Sequence, residues 1–494
     1  MKLPILIQGG MGIGVSGWRL ANAVACTGQL GVVSGSAIDH VFSRRLQQGD
    51  PGGHLQAALA HFPVPGIVER ILAKYFCPGG RPPGTPYRAP VMYRAEPQTE
   101  VFELSVVANF CEVFLAKRGH AGLVGINLLE KLQLPNPAAL YGAMLAGVDF
   151  VLMGAGIPRE IPGVLDRLTR QLPVSLKLYV EGAQAGDDFR LHFDPVKVMQ
   201  SVLPALNRPR FLAIVASTTL ALSLGKRTGG VDGFVIEGPT AGGHNAPPRG
   251  APVLNQRGEP QYGPRDVVDL DVVGGIGLPF WLAGSYAHRD RVIEARAAGA
   301  QGVQVGTVFA LCEESGLDPA IKHKLALQVL AGTTDVVTSA TASPTGYPFK
   351  VASLGGTMSE PSTYQGRERV CDIGLLRTPY RREDGKLGFR CPAEPVATFV
   401  KRGGKLEDTQ GRCCLCNGLL AGIGLGQYRE GGRREPAIVT IGDDVRAMGR
   451  FYRDGKLSYT AREVVADLLG EAALLPNLAV ASQDAEPAEP VAET

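Results

Sequence analysis

Eight short, almost wholly apolar runs recur along the chain, at 5–8, 31–34, 123–127, 150–153, 211–217, 233–237, 280–283 and 302–305. Most of them end in a glycine or a small polar residue, and stretches with helical periodicity lie between them. A strand that is apolar at every position, rather than at every second one, must be buried on both faces, which is the signature of a parallel sheet covered by helices. Eight such units predict a closed (β/α)8 TIM barrel, whose reactive residues belong at the C-terminal ends of the strands. A ninth run, 174–180, behaves differently: Ser175, Lys177 and Tyr179 alternate with Leu176, Leu178 and Val180, and Phe189, Leu191 and Phe193 alternate after the Gly-Asp-Asp turn at 186–188. This pair reads as a half-exposed hairpin added to the barrel.

At 494 residues the chain exceeds the roughly 250–300 at which a single core stops growing, so appendages are expected. About 80 residues separate the second and third strands, far more than the usual few. The division that follows is a barrel from 1–40 and 121–332, a mostly helical insertion at 41–120, a Cys-rich C-terminal extension or cap at 333–482, and a disordered Ala/Glu/Pro-rich tail at 483–494. The insertion is a candidate lid or oligomer contact, and homo-oligomerisation is expected.

The composition, with 45% hydrophobic and 20% charged residues, is that of an ordinary globular protein. The formal net charge is +3 with the basic residues scattered, which disfavours a nucleic-acid groove or a polybasic membrane patch and favours a small-molecule substrate. Residues 3–7 enter a strand at once, without the pattern of a secretory signal, and no segment is apolar for the ~20 residues of a spanning helix. The expected location is cytoplasmic, with no membrane and no nucleic-acid partner.

The suggestive motifs follow the strands. Gln8-Gly9-Gly10-Met11-Gly12 would let backbone amides approach a flat ring or an anion, although a Gly-rich turn can be purely structural. Asn127 closes the third strand, where its amide suits a carbonyl or phosphate, or else a helix cap. Ser217 ends the fifth. Ala283-Gly284-Ser285 and Gly306-Thr307 follow the last two strands, where many barrels bind phosphate; two ordinary turns are the alternative. The strongest signal is Glu237-Gly238-Pro239-Thr240-Ala241-Gly242-Gly243-His244-Asn245, after the sixth strand. Its paired glycines give access to a planar cofactor, and a neutral imidazole beside it can take a proton at physiological pH.

Taken together, these motifs resemble the nitronate monooxygenase family, whose relatives include FMN-dependent enoyl reductases. The resemblance covers roughly 1–60 and 120–325. It implies FMN held by Gly10, Met11, Gly12, Asn127, Ala241, Gly242, Ala283, Gly284, Gly306 and Thr307, with His244 as the base. Ser217, Gly243 and Ser285 join the candidate cofactor set. The chain departs from the family pattern in three places: Gly-Pro-Thr precedes Ala241 where an acidic residue is usual, Asn245-Ala246 follow the histidine, and Ser285 replaces a second glycine. The implied function is oxidation of a small carbon acid, such as an alkyl nitronate, by dioxygen. One alternative is an NAD(P)H-dependent FMN reductase of activated C=C bonds such as enoyl thioesters, with NAD(P)H as co-substrate. Another is a non-catalytic flavin-binding scaffold.

Nine cysteines are present, five of them in one late stretch. Cys371, Cys391, Cys414 and Cys416 could supply four thiolates to zinc or an iron–sulfur cluster, with Cys413 merely adjacent. Their spacing matches no standard finger or ferredoxin pattern, and a group of buried thiols is the alternative. Cys26, Cys77, Cys111 and Cys312 read as core filler. Basic runs around 377–390 and 401–412 read as solvated surface.

Overall fold

In a computed structural model, which describes residues 2–96, 98–226 and 230–471, the eight apolar runs form one parallel barrel. Its strands are β1 (Leu6–Gln8), β2 (Gly31–Ser34), β3 (Val124–Leu129), β4 (Phe150–Gly154), β5 (Arg210–Val215), β6 (Gly233–Glu237), β7 (Phe280–Ala283) and β8 (Gly302–Val305). They are hydrogen-bonded in the order β1-β8-β7-β6-β5-β4-β3-β2. The ring closes where Gln8 N donates to Leu30 O at 3.0 Å and Leu30 N to Leu6 O at 3.1 Å.

Strict alternation within the strands explains their continuous apolarity. Ile7, Val32, Phe150, Leu152, Leu212, Val235 and Trp281 fill the interior, while their neighbours Leu6, Val33, Val151, Phe211, Phe234 and Phe280 face the helices. Both faces are therefore dry, and each large side chain removed from water contributes roughly 1.5–3 kcal/mol before the entropy of ordering is counted. Trp281 lies wholly inside, and its indole Nε1–H is satisfied by Pro4 O at 3.0 Å. Val174–Lys177 pairs with Arg190–Phe193 as an antiparallel hairpin outside the ring, with Leu176, Leu191 and Phe193 turned into the core.

Two crossover helices depart from the division expected of the sequence. Thr99–Lys117 lies within the 41–120 stretch, yet it packs on Trp18–Ala25 and Asn136–Leu145 as the barrel's own second crossover helix. It is apolar on nearly every face because it is covered on nearly every face. The eighth outer helix comes from the far end of the chain: Ala461–Leu469 packs against both Trp18–Ala25 and Arg289–Ala297. The barrel is thus not complete at residue 332. The physical reason is the gap between the seventh and first helices, which would leave apolar strand surface wet if nothing returned to cover it. A capping box starts this helix, Thr460 Oγ1 accepting from Glu463 N at 3.2 Å and Glu463 Oε2 from Thr460 N at 2.6 Å.

Between β8 and that last helix the chain makes an excursion containing two antiparallel pairs, Val336–Ser339 with Phe349–Ala352 and Thr378–Arg381 with Leu387–Arg390, and the helix Leu415–Gly422. The expected tail at 483–494 lies outside the described residues. Among the described residues no helix is long and apolar enough to cross a membrane.

Candidate active site

A cavity of about 310 Å³ opens at the C-terminal ends of the barrel strands. Its wall includes Gly10, Met11, Gly12, Asn127, Ala241, Gly242, Gly243, His244, Ala283, Gly284, Ser285, Gly306 and Thr307, so residues from five strand-following segments meet in one place. Ser217 is not on that wall. It is the N-cap of the helix Thr218–Gly225, its hydroxyl accepting from Leu220 N at 3.1 Å.

Close backbone approach explains two of the glycines. A Cβ on Gly10 would lie 2.3 Å from Asn127 Cβ, so only glycine lets the first loop pass the end of β3. A Cβ on Gly242 would lie 2.9 Å from the carbonyl carbon of Ile441, in a segment far along the chain. Ser285 adopts φ of 58°, the left-handed region, which accounts physically for the glycine usual at that point in the family it resembles.

Residues of the C-terminal excursion complete the cavity and hold the Gly-rich loop. Gly243 N donates to Thr440 Oγ1 at 2.8 Å, Asp443 N to Thr240 O at 3.1 Å, Lys350 N to Gly243 O at 2.9 Å and Asn245 N to Pro348 O at 2.9 Å. The loop after β6 is therefore gripped on both sides. Lys350 locks the two grips together: its side chain is 2% exposed, and its ammonium meets Asp443 Oδ1 at 2.9 Å and Thr338 Oγ1 at 2.6 Å.

His244 Nε2 is 2.7 Å from Ser343 Oγ, which in turn is 2.8 Å from Thr345 Oγ1. The edge of the Phe349 ring covers it, with centroids 4.8 Å apart. Burial and, secondarily, the Lys131 ammonium push its pKa down to about 4, so at neutral pH the imidazole is uncharged and one ring nitrogen is free to accept. Lys131 lies over the Tyr347 ring at 3.4 Å, and burial lowers its own pKa to about 8.

Several groups here have no role assigned from the sequence. Glu237, at the end of β6, lines the cavity, and burial raises its carboxyl to about 7. Gln304 in β8 also lines it, and its Oε1 is buried without a partner; so is Asn127 Oδ1, although Asn127 Nδ2 donates to Gly10 O at 3.0 Å. A polar residue inside an otherwise apolar strand was the available signal for Gln304. Asp444 carried no signal at all. Its carboxyl is hydrogen-bonded to Thr307, whose Oγ1 also accepts from Gly442 N at 2.9 Å, and burial pushes the acid up towards its neutral form.

Of the late cysteines, only Cys416 touches this cavity; Cys371, Cys391, Cys414 and Cys416 together line a second, smaller one. Among the described residues, no group of three or more His, Cys, Asp or Glu is arranged to hold a single metal ion.

The nitronate monooxygenase family profile matches residues 197–346. A nitronate monooxygenase of Pseudomonas aeruginosa is 30% identical over 184 residues, 36% of this chain and 48% of that protein. A Mycobacterium tuberculosis protein named (3aS,4S,5R,7aS)-5-hydroxy-7a-methyl-1-oxo-octahydro-1H-indene-4-carboxyl-CoA dehydrogenase is 26% identical over 209 residues, 39% of this chain and 56% of that one. The chain spans about half the length of these curated relatives. Among solved structures, FabK from Thermotoga maritima superposes with a TM-score of 0.44 at 15% identity, covering 94% of this chain and 91% of that one.

Proposed function

We propose, from a barrel related to the nitronate monooxygenase family, that this chain is an FMN-dependent oxidoreductase acting on a small carbon acid such as an alkyl nitronate. The observation that carries the reading is the meeting, in one glycine-walled cavity, of three orphaned buried polar atoms, Asn245 Oδ1 being the third, with a neutral imidazole. Asn127 Oδ1 and Gln304 Oε1 have no protein partner, and a buried acceptor left so costs roughly 1–3 kcal/mol. The amide edge of an isoalloxazine carries an N–H that would satisfy one of these acceptors. The lining therefore fits the ring of FMN, which the backbone of Gly10, Met11 and Gly242 would face, with that of Gly284, Ser285 and Gly306 towards the phosphate.

When bound, FMN supplies two-electron chemistry, taking electrons from the substrate and delivering them to dioxygen. The chain's own residues do the rest. His244, uncharged at neutral pH, takes the α-proton when a neutral nitroalkane is the substrate; a proton on Nε2 is then shared with Ser343 Oγ, leaving Nδ1 as the other basic position. Phe349, Leu376 and Leu419 exclude water from the same side. Asp444, whose carboxyl burial pushes up, stands beside Thr307 at the same end of the cavity.

A second reading, reduction of activated C=C bonds with NAD(P)H, gains support from the relative named as a CoA-ester dehydrogenase. The test is anaerobic mixing of flavin-loaded protein with propionate 3-nitronate, NADH or NADPH while the flavin's visible absorption is followed. Bleaching by the nitronate is expected. Rapid bleaching by a nicotinamide, with none by the nitronate, replaces the first reading with the second. Bleaching by none of the three leaves a flavin-binding scaffold.

A further inference from the structure

The second cavity stands apart from the chemistry above. Four cysteines from three separate segments converge on it: Cys371, Cys391 just after the strand Leu387–Arg390, and Cys414 and Cys416 at the start of the helix Leu415–Gly422. They are 43 to 45 positions apart at their extremes (414 and 416 less 371), and no local element requires them to meet. Cys413, by contrast, faces a different cluster with Ala342, Phe349 and Ile438. The fold thus selects four of the five late thiols.

The surroundings are those of sulfur that carries charge. The Ala393 amide donates to Cys391 Sγ and the Leu376 amide to Cys416 Sγ. Cys414 Sγ receives the Asn417 amide and also Asn417 Nδ2 at 3.6 Å. Neutral thiols are weak acceptors and do not call for such donors; thiolates do. The positive end of the helix Leu415–Gly422 lies at Cys414 and Cys416, and the Arg377 side chain lines the same cavity. A metal binds such cysteines in the deprotonated form.

We propose that Cys371, Cys391, Cys414 and Cys416 ligate an iron–sulfur cluster in this cavity. A single zinc ion is the competing occupant of a four-thiolate site, but with Zn–S bonds of about 2.3 Å it holds its sulfurs only about 3.8 Å apart. Among the described residues no three such side chains are grouped as a lone ion requires, and the four thiols line a common cavity. An iron–sulfur cluster, whose cysteines bind different irons, needs a wider ring. Leu376, Leu415 and Cys416 belong to the walls of both cavities, so the cluster stands one residue layer from the candidate flavin site. The cluster assignment rests on the cysteine cavity alone and survives even if the flavin reading fails.

The test is metal and acid-labile sulfide analysis of the full chain, purified without oxygen from iron-replete cells and again after incubation with ferrous iron and sulfide. Expected are iron and sulfide in near-equal amounts, about 2 to 4 of each per chain, the range of four-cysteine clusters. Sulfide separates the cluster from flavin, whose absorption overlaps. Cys391→Ser and Cys414→Ser should cut bound iron at least tenfold, while Cys26→Ser and Cys413→Ser keep it. Should the first two variants prove insoluble, iron X-ray absorption of the unaltered protein decides, with a sulfur-only coordination shell expected. About one zinc per chain without sulfide, or no iron after both preparations, overturns the proposal.

Discussion

His244 is expected to titrate far below an ordinary histidine, and the structure ranks the causes. Its pKa falls from 6.5 to about 4, a drop of about 2.5, with burial the larger cause and Lys131 the smaller. Lys131 therefore accounts for less than half, at most about 1.2. Because the folded-state value is depressed, the neutral ring contributes stability that is fully present above about pH 6.5. That stability is lost progressively as pH falls to about 4, in total about 3 kcal/mol at 1.36 kcal/mol per unit. Two variants isolate the effect. His244→Gln should flatten the fall in unfolding free energy between pH 6.5 and 4 by that amount relative to the parent, and should identify the His244 signal in carbon-edited NMR spectra by its disappearance. Lys131→Met should raise the His244 midpoint by up to about one pH unit, leaving it below 6. A parent His244 that titrates at 6 or above, or a midpoint unmoved in Lys131→Met, refutes the assignment of burial plus Lys131 as the cause, and with it the neutral base at the cavity.

Gly10→Ala forces a methyl to 2.3 Å from Asn127 Cβ, so the first loop must shift; about 1–3 kcal/mol of overpacking strain and at least a tenfold loss of flavin affinity are expected, read by fluorescence titration. Affinity equal to the parent's would show that this approach is not used. Glu237→Gln removes an acid whose folded-state pKa is raised from 4.5 to about 7, so the variant should gain on its parent as pH rises through that window, by up to about 3 kcal/mol above pH 7, and show no gain at pH 4. Denaturant unfolding at the two pH values checks it. Lys350→Met keeps volume but deprives buried Thr338 of its partner and frees Asp443, which is 41% exposed and can return to water; a cost of about 1–3 kcal/mol and faster amide exchange at Gly243 and Asn245 are expected, and unchanged exchange would sink the bracing role.

Much of the barrel was legible because its signals are local. An apolar run such as Phe234-Val235-Ile236 reports burial on both faces wherever it stands, and the alternation in 174–180 marked the hairpin as an outsider for the same reason. Glycine-rich loops after β1 and β6 were visible for what they permit, although what they approach was not: Gly10 makes room for Asn127, and Gly242 for Ile441. Ser217 misled because a serine ending a strand reads the same whether it faces a ligand or caps the next helix, and the cap won through a bond only three residues long. The helix Ala461–Leu469 did carry a signal, Thr460 with Glu463 three residues on, but nothing local says that a helix will seat itself beside one starting at Trp18.

The chain by itself thus determined which segments become strands, which loops can admit a planar ligand and which histidine stands among them, because periodicity, glycine and position after a strand are properties of neighbours in sequence. Tertiary structure alone decided how basic that histidine is, since burial and Lys131 set it from 113 positions away (244 less 131), and that Asp444 meets Thr307. It alone brought the four cysteines to one small cavity, with Cys416 also on the wall of the larger one. Electrostatic and coordination chemistry depend on what surrounds a group in space, and a chain folding back across its own barrel brings those surroundings from residues that no sequence window contains.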